Sequence, residues 1–400
     1  MDFALSTKAE EYLADLTDFM VSYVYPAEPV YHAWRQAAGH GDHRLPPVVE
    51  DLKAEARSRG LWNLFLPSES GMSVLDHASL AEVTGRSPDL APEALNCAAP
   101  DTGNMELLHT FGSPEQRARW LTPLLAGGIR SAFAMSEPAV ASSDATNLTT
   151  SIVRDGDDYV VNGRKWFVSG AADPRCRVVI VLGNTDPEAP AHRRQSTVLI
   201  PMDTPGVEVV RHLPVFGYQE QRGYSELVLS DVRVPVANLL GEEGDGLRIA
   251  RTRLGPGRVH HCMRAIGMAE RALELLCARA ANRVAFGVTL AQQGVVQQQI
   301  AESRLAVDQA RLLGLRAAWM IDTVGAKAAS AEISAVKAVA PRVACEVIDR
   351  AIQVHGALGV SDDVPLASMY VHARAMRILG GPDEVHLRAV ARRELKPHLS

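Results

Sequence analysis

The hydrophobic period changes twice along this chain, and those two changes restrict its architecture more than any single motif. From about residue 131 to 240 apolar residues alternate with polar ones, and the runs at 178–182, 197–200, 207–210 and 227–229 are short β-type segments separated by Gly, Pro and Asp. Tyr159-Val160-Val161 and Arg164-Lys165-Trp166-Phe167 flank Asn162-Gly163, a dipeptide suited to a type I′ turn, which predicts a hairpin there. Strands this closely spaced, with no helices between them, predict an antiparallel β domain. The stretch before it reads as helical. Its clearest start signal is Ser113-Pro114-Glu115-Gln116, where Ser113 and Gln116 form a capping box and Pro114 suits the first helical position. After about residue 245 the helical period returns. Gly255-Pro256-Gly257 precedes a run with Val259, Met263, Ile266 and Leu273 on one face. Ile333, Val336, Ala340, Val343, Val347, Ala351 and Val354 step by three or four, and Pro341 among them predicts a kink or a break. The reading is an α+β chain: a helical domain over 1–130, an antiparallel β domain over 131–242 and a helical domain over 243–400.

Composition limits the functions available. The net charge is −6 over 400 residues, with a pI near 6.1, so there is no positive field to attract a phosphate backbone and nucleic acid is excluded as a partner. The five cysteines (Cys97, Cys176, Cys262, Cys277, Cys345) are scattered and never form a CxxC pair, which reads as reduced thiols in a cytoplasmic setting. No apolar segment follows Met1 that would serve as a secretory signal, and no run is long enough to span a membrane.

Several chemistries are set aside. There is no Gly-x-Ser-x-Gly elbow, and Gly255-Pro256-Gly257 lacks the third glycine and the preceding strand of a dinucleotide fingerprint. His260-His261-Cys262 are consecutive, so on a helix their side chains splay about 100° apart and cannot share a metal. They read as core and interface residues, and His40 and His43 as solvated loop residues. Three segments stay open: Phe133-Ala134-Met135-Ser136-Glu137-Pro138, Lys165-Trp166-Phe167-Val168-Ser169-Gly170 and Gly380-Gly381-Pro382-Asp383-Glu384-Val385-His386. By themselves they read as a strand entry, a core tryptophan and a turn.

Taken together, these segments resemble the acyl-CoA dehydrogenase family of flavoproteins, and within it the long-chain branch that includes kinase-fused members. The resemblance is carried by Gly60-Leu61-Trp62-Asn63-Leu64-Phe65-Leu66-Pro67, Gly103-Asn104-Met105-Glu106, Met135-Ser136-Glu137-Pro138, Ala141-Ser142-Ser143-Asp144-Ala145-Thr146-Asn147, the stretch from Leu254 to Arg264, and Gly381-Pro382-Asp383-Glu384-Val385-His386-Leu387. It implies a C-terminal four-helix bundle, a homotetramer or homodimer, FAD as cofactor, and an acyl thioester of coenzyme A or a carrier protein as substrate. An electron-transfer flavoprotein is the implied acceptor. It further implies that Phe133, Met135, Ser136, Trp166, Val168 and Ser169 lie at the flavin. Arg283 and Phe286 reach the FAD of a neighbouring subunit, and Gln353 and Gly356 cradle it. Ser142, Arg258, Gly380 and Gly381 border the thioester.

The resemblance also exposes a departure. The family reaction needs a carboxylate to remove the α proton, and the position that usually carries it is Gly380 here. The alternative base position matches Gly257, and the position that usually gives a hydroxyl to the flavin matches Val168. Asp383 and Glu384 are the nearby substitutes. The alternatives to dehydrogenation are different flavin chemistry on the same scaffold and a catalytically silent subunit.

Overall fold

The computed structural model describes residues 1–39, 41–218 and 223–399, without the side chains of Arg253, Leu254 and Pro256; His40 lies outside the described residues. Packing divides the chain into two compact units, each assembled from separated segments. One comprises Met1–Pro26, Pro67–Pro92 and Gly255–Ser400, the other Ala27–Leu66 and Glu93–Leu254.

The second unit is built on a seven-stranded sheet: β1 (Arg130–Ala134), β2 (Ser151–Asp155), β3 (Asp158–Ser169), β4 (Cys176–Asn184), β5 (Gln195–Pro201), β6 (Val207–His212) and β7 (Tyr224–Pro235). The order is β1-β4-β2-β3-β7-β6, with β5 also on β4. Most pairs are antiparallel as expected, but β1 and β2 both run parallel to β4, with Phe133 opposite Ile180 and Ser151 opposite Asn184. The expected hairpin at Asn162-Gly163 is not a turn. Those residues lie inside the twelve-residue β3, at an irregularity in its pairing with β7. The chain reverses at Gly156-Asp157, where Asp155 pairs with Asp158. Gly163 is small because a Cβ there would lie 2.3 Å from the Thr150 hydroxyl. The helices Pro47–Ser58 and Asp101–Phe111 belong to this unit. The capping box at Ser113 forms as predicted, and Gln116 then donates to the carbonyls of Ala237 and Leu239, 2.8 Å each. His43, expected in solvent, is buried and packs edge-on against His212 at 4.6 Å.

Charges inside this unit are matched. Glu93, 1% exposed, accepts from Lys53 at 2.9 Å and Arg130 at 2.6 Å, both themselves buried.

The first unit is helical: Val74–Gly85, most of Gly246–Asn282, Gly294–Val324, Ser330–His355, Leu366–Met376 and Asp383–Leu395. Gly255-Pro256-Gly257 does not precede the first long helix; it lies in its interior. Pro341 does not divide Ser330–His355, which is one continuous helix. Val259, Met263, Ile266 and Leu273 are buried as their spacing predicts. Gly267 lets helix Gly246–Asn282 approach Val74–Gly85 closely, since a Cβ at 267 would fall 1.9 Å from the Glu82 carbonyl oxygen. In the same core His77 and His260 meet edge-on at 4.3 Å, with His77 Nδ1 and His260 Nε2 buried without a partner. Burial, reinforced by Arg264, pushes His260 down to about 3 and His77 well below its usual 6.5.

Among the described residues no helix is long and apolar enough to cross a membrane, and no three His, Cys, Asp or Glu side chains cluster to hold a metal. The five cysteines are free thiols, all buried except the half-buried Cys277.

Candidate active site

The residues singled out from sequence fall into two sets, one in each unit. In the β unit, β1 delivers Phe133 and its continuation carries Met135 and Ser136, all half-buried. The Trp166 N–H donates to the Ser136 carbonyl at 3.0 Å, so the segments containing Ser136 and Trp166 are tied together. Lys165 fixes the same place from beneath. Its ammonium, with no exposure, donates to the carbonyls of Met135 (3.0 Å) and Leu182 (2.7 Å) and to the Glu137 carboxylate (2.8 Å). Glu137 also accepts from the N–H and hydroxyl groups of Thr149 and Thr150. Burial alone would raise its pKa, but these bonds outweigh burial and hold it at about 2. Burial pushes Lys165 down to about 8 despite its partner.

This anchoring leaves specific groups unused. The N–H groups of Met135 and Ser136 and the Ser136 hydroxyl take no hydrogen bond among the described residues. Beside them, Trp166 lines an open cavity of about 360 Å³ with Glu137, Pro138, Ala139, Thr149, Arg164, Arg211 and Glu226. Free donors next to an aromatic plane fit a flat heterocycle with carbonyl and ring-nitrogen acceptors. A pairing irregularity between Lys165 and Val168, with Phe167 at φ +46°, turns the aromatics outward. Val168, by contrast, is 1% exposed and packs into the sheet core, and Ser169 beyond it is half-buried. Ser142 Oγ accepts from the Glu137 N–H at 2.8 Å and so closes its loop.

In the helical unit, Gly380 and Gly381 form a corner with φ of +68° and +107° before helix Asp383–Leu395. Arg258 Nε donates to the Gly380 carbonyl at 2.9 Å, and His386 Nε2 lies 3.3 Å from the same oxygen. Lys337, 2% exposed, donates to the carbonyls of Met376 (2.6 Å) and Gly381 (3.3 Å). Asp383 is buried and accepts from Arg377 Nε at 2.8 Å, whereas Glu384 is exposed. Elsewhere on this unit Gln353 and Gly356 are both exposed at the end of helix Ser330–His355, and Gly356 has φ +66°, ψ −140°, a conformation that glycine alone adopts readily. Arg283 follows helix Gly246–Asn282 and leads into a hairpin, β8 (Val284–Ala285) and β9 (Val288–Thr289), whose tip residues Phe286 and Gly287 both have positive φ. Phe286 is fully exposed.

The structure thus joins Met135, Ser136 and Trp166 in one place, Arg258, Gly380 and Gly381 in a second, and Gln353 and Gly356 in a third. Sequence reasoning gave no role to Glu137, Lys165, Lys337 or His386. Lys165 had a signal, because β alternation puts it on the inward face; Lys337 had none beyond its place beside Val336.

Three family models match successive parts of the chain: the acyl-CoA dehydrogenase N-terminal domain over 10–128, the middle domain over 132–232 and the C-terminal domain over 244–395. The chain belongs to the acyl-CoA dehydrogenase family. It is 64% identical over 395 residues to "Probable acyl-CoA dehydrogenase FadE2" of Mycobacterium tuberculosis, covering 99% of this chain and 97% of that protein. It is 50% identical to acyl-CoA dehydrogenase family member 11 of Rattus norvegicus, with 98% of this chain covered but only 51% of that protein, so it spans about half the relative's length. A solved structure of a candidate acyl-CoA dehydrogenase from Mycobacterium abscessus superposes with a TM-score of 0.96 at 48% identity, covering 99% of this chain and 100% of that one. A glutaryl-CoA dehydrogenase from Mycobacterium smegmatis, 21% identical and alike in fold (TM-score 0.82), is solved in complex with FADH2.

Proposed function

We propose that the chain binds FAD and carries out α,β-dehydrogenation of an acyl thioester, with domain boundaries near residues 130 and 242. The observation that carries this reading is the set of unused donors at Met135 and Ser136, held beside Trp166 by Lys165 and Glu137, in a chain of this family. FAD, when bound, would accept the hydride leaving the β carbon. The chain's own part is to position and polarise. The Met135 and Ser136 donors address the flavin ring, Trp166 flanks it, and Gly356 allows close backbone approach to a phosphate. Arg283 and Phe286 are proposed to reach the FAD of a second copy. A fully exposed Phe at positive φ is costly where Asn or Gly would fit, which favours a contact outside its own chain.

Gly380 stands where the family's carboxylate is expected, and neither substitute is placed to replace it simply. Asp383 is buried with one oxygen held by Arg377 and the other without a partner among the described residues, and Glu384 is exposed. That arrangement favours a second reading, flavin chemistry other than simple dehydrogenation. Anaerobic mixing of the purified protein with a panel of acyl thioesters tests the first: flavin bleaching is expected, and bound flavin that no thioester bleaches argues for the second. Changing Arg283 to Ala should lower FAD occupancy with the helical content intact, and full retention would remove the cross-subunit role.

A further inference from the structure

The corner at Gly380 and Gly381 is surrounded by nitrogen groups and short of negative charge. Arg258, Lys337 and His386 converge on its two carbonyls. Arg258 Nε is used, but its two terminal amino groups bond nothing among the described residues. Lys337 donates only to carbonyls, and no carboxylate lies within ion-pair distance of either cation among the described residues. The other groups facing the corner do not supply the missing charge. Cys262 is pushed up to about 12 by burial and stays a neutral thiol, burial and the two cations hold His386 neutral, and Asp383, whose Oδ2 pairs with Arg377, acts on Lys337 and His386 only from beyond ion-pair distance. Lys337 is the buried one of the two, and a buried cation without an adjacent counter-charge keeps its desolvation penalty uncompensated. Space is available: a Cβ built on Gly380 meets one atom within 4 Å, Lys337 Cε at 3.9 Å, and Gly380 itself is exposed.

We propose that this corner is a carboxylate-binding subsite, in which the space over Gly380, backed by Lys337 and flanked by Arg258, takes a carboxylate that the chain does not provide. The carboxylate is carried on the acyl group of the thioester or is a free small carboxylate. The room over Gly380 is that of a short side chain, and a planar two-oxygen group suits both an ammonium and a guanidinium fork. Where the bound carboxylate acts rests on the acyl-thioester reading; that it binds does not.

The test uses flavin-loaded protein with formate as probe, and chloride and phosphate at equal ionic strength as controls. Formate should raise the thermal midpoint saturably, the controls should not, and the response should be lost in Lys337→Met. Gly380→Asp supplies its own carboxylate and should also lose the response, which keeps the test decisive if Lys337→Met fails to fold. No response in wild type, an equal response to chloride, or an unchanged response in Gly380→Asp overturns the subsite. Anaerobic bleaching then separates the sources. A thioester bearing a terminal carboxylate that bleaches flavin unaided identifies the acyl group. A plain acyl-CoA that bleaches at least about tenfold faster with formate identifies the free ion. Formate binding with no bleaching by any thioester leaves the subsite standing and removes the acyl-thioester reading.

Discussion

Lys165 and Lys337 are both buried lysines, and they differ in what meets the charge. Lys165 ends on the Glu137 carboxylate and two carbonyls, and Glu137 is itself saturated by Thr149 and Thr150. Lys337 ends on two carbonyls alone, beside a half-exposed Arg258 that also has no carboxylate partner among the described residues. A closed network holds a loop in one shape and needs nothing further. An open one makes the same investment in desolvation without a counter-charge, which is unfavourable for folding and favourable for capturing an anion.

The comparison is most directly broken by removing each ammonium in turn. Lys165→Met leaves Glu137 as a buried carboxylate without its cation, and should cost about 3–5 kcal/mol in denaturant unfolding. Lys337→Met leaves no such orphan and should stay within about 1 kcal/mol of wild type. Equal losses would show that the two sites do not differ in kind.

Acid probes the helical unit through His77 and His260. Both have folded pKa values depressed below the usual 6.5, so below that pH the unfolded chain binds more protons than the folded one. Their contribution is complete above 6.5 and is lost as pH falls below it, for His260 down to about 3. At pH 5 the loss from His260 should be about 2 kcal/mol, and His77 should add to it in the same direction. Urea midpoints at pH 7 and pH 5 measure it, and a His77→Leu/His260→Leu double variant should flatten the difference.

The smallest effect sharpens the comparison. Gly380→Asp should turn Lys337 into a second Lys165, closing the open network from within. The φ of +68° is unfavourable to any side chain, though Asp tolerates it better than most, and the new ion pair offsets it. The net change should lie within about 1 kcal/mol. In a double-mutant cycle with Lys337→Met the coupling should be favourable; a coupling of zero would mean the new carboxylate does not reach the ammonium.

Features set by neighbours in sequence were readable in advance. The Ser113 capping box formed because all its partners lie within three residues, and the buried face at Val259, Met263, Ile266 and Leu273 followed from helical spacing. Features set by distant partners were not. Asn162-Gly163 has the composition of a turn, but Gly163 is small to make room for Thr150, and two residues at Gly156-Asp157 make the reversal. Pro341 does not break its helix, which is buried along most of its length, so packing keeps the segment continuous across it. The site divides the same way. The resemblance pointed to Trp166, Ser136 and Gly380, whereas the state of Lys337 depends on carbonyls some forty residues further along the chain.

The segmented make-up of the helical unit has a consequence for how the protein is born. Helix Val74–Gly85 buries Leu75, Ala78 and Ala81 in a core shared with the later helices, and its close partner at Gly267 lies far downstream. At the ~5–20 residues per second of synthesis, this apolar surface waits on the order of ten seconds or more for the helix that covers it. The β unit, whose strands are all made before residue 236, can assemble in that interval. A nascent chain arrested shortly after β7 therefore carries a finished sheet and a helix covered only by Thr7–Phe19, with the face meant for the later helices still open to a chaperone.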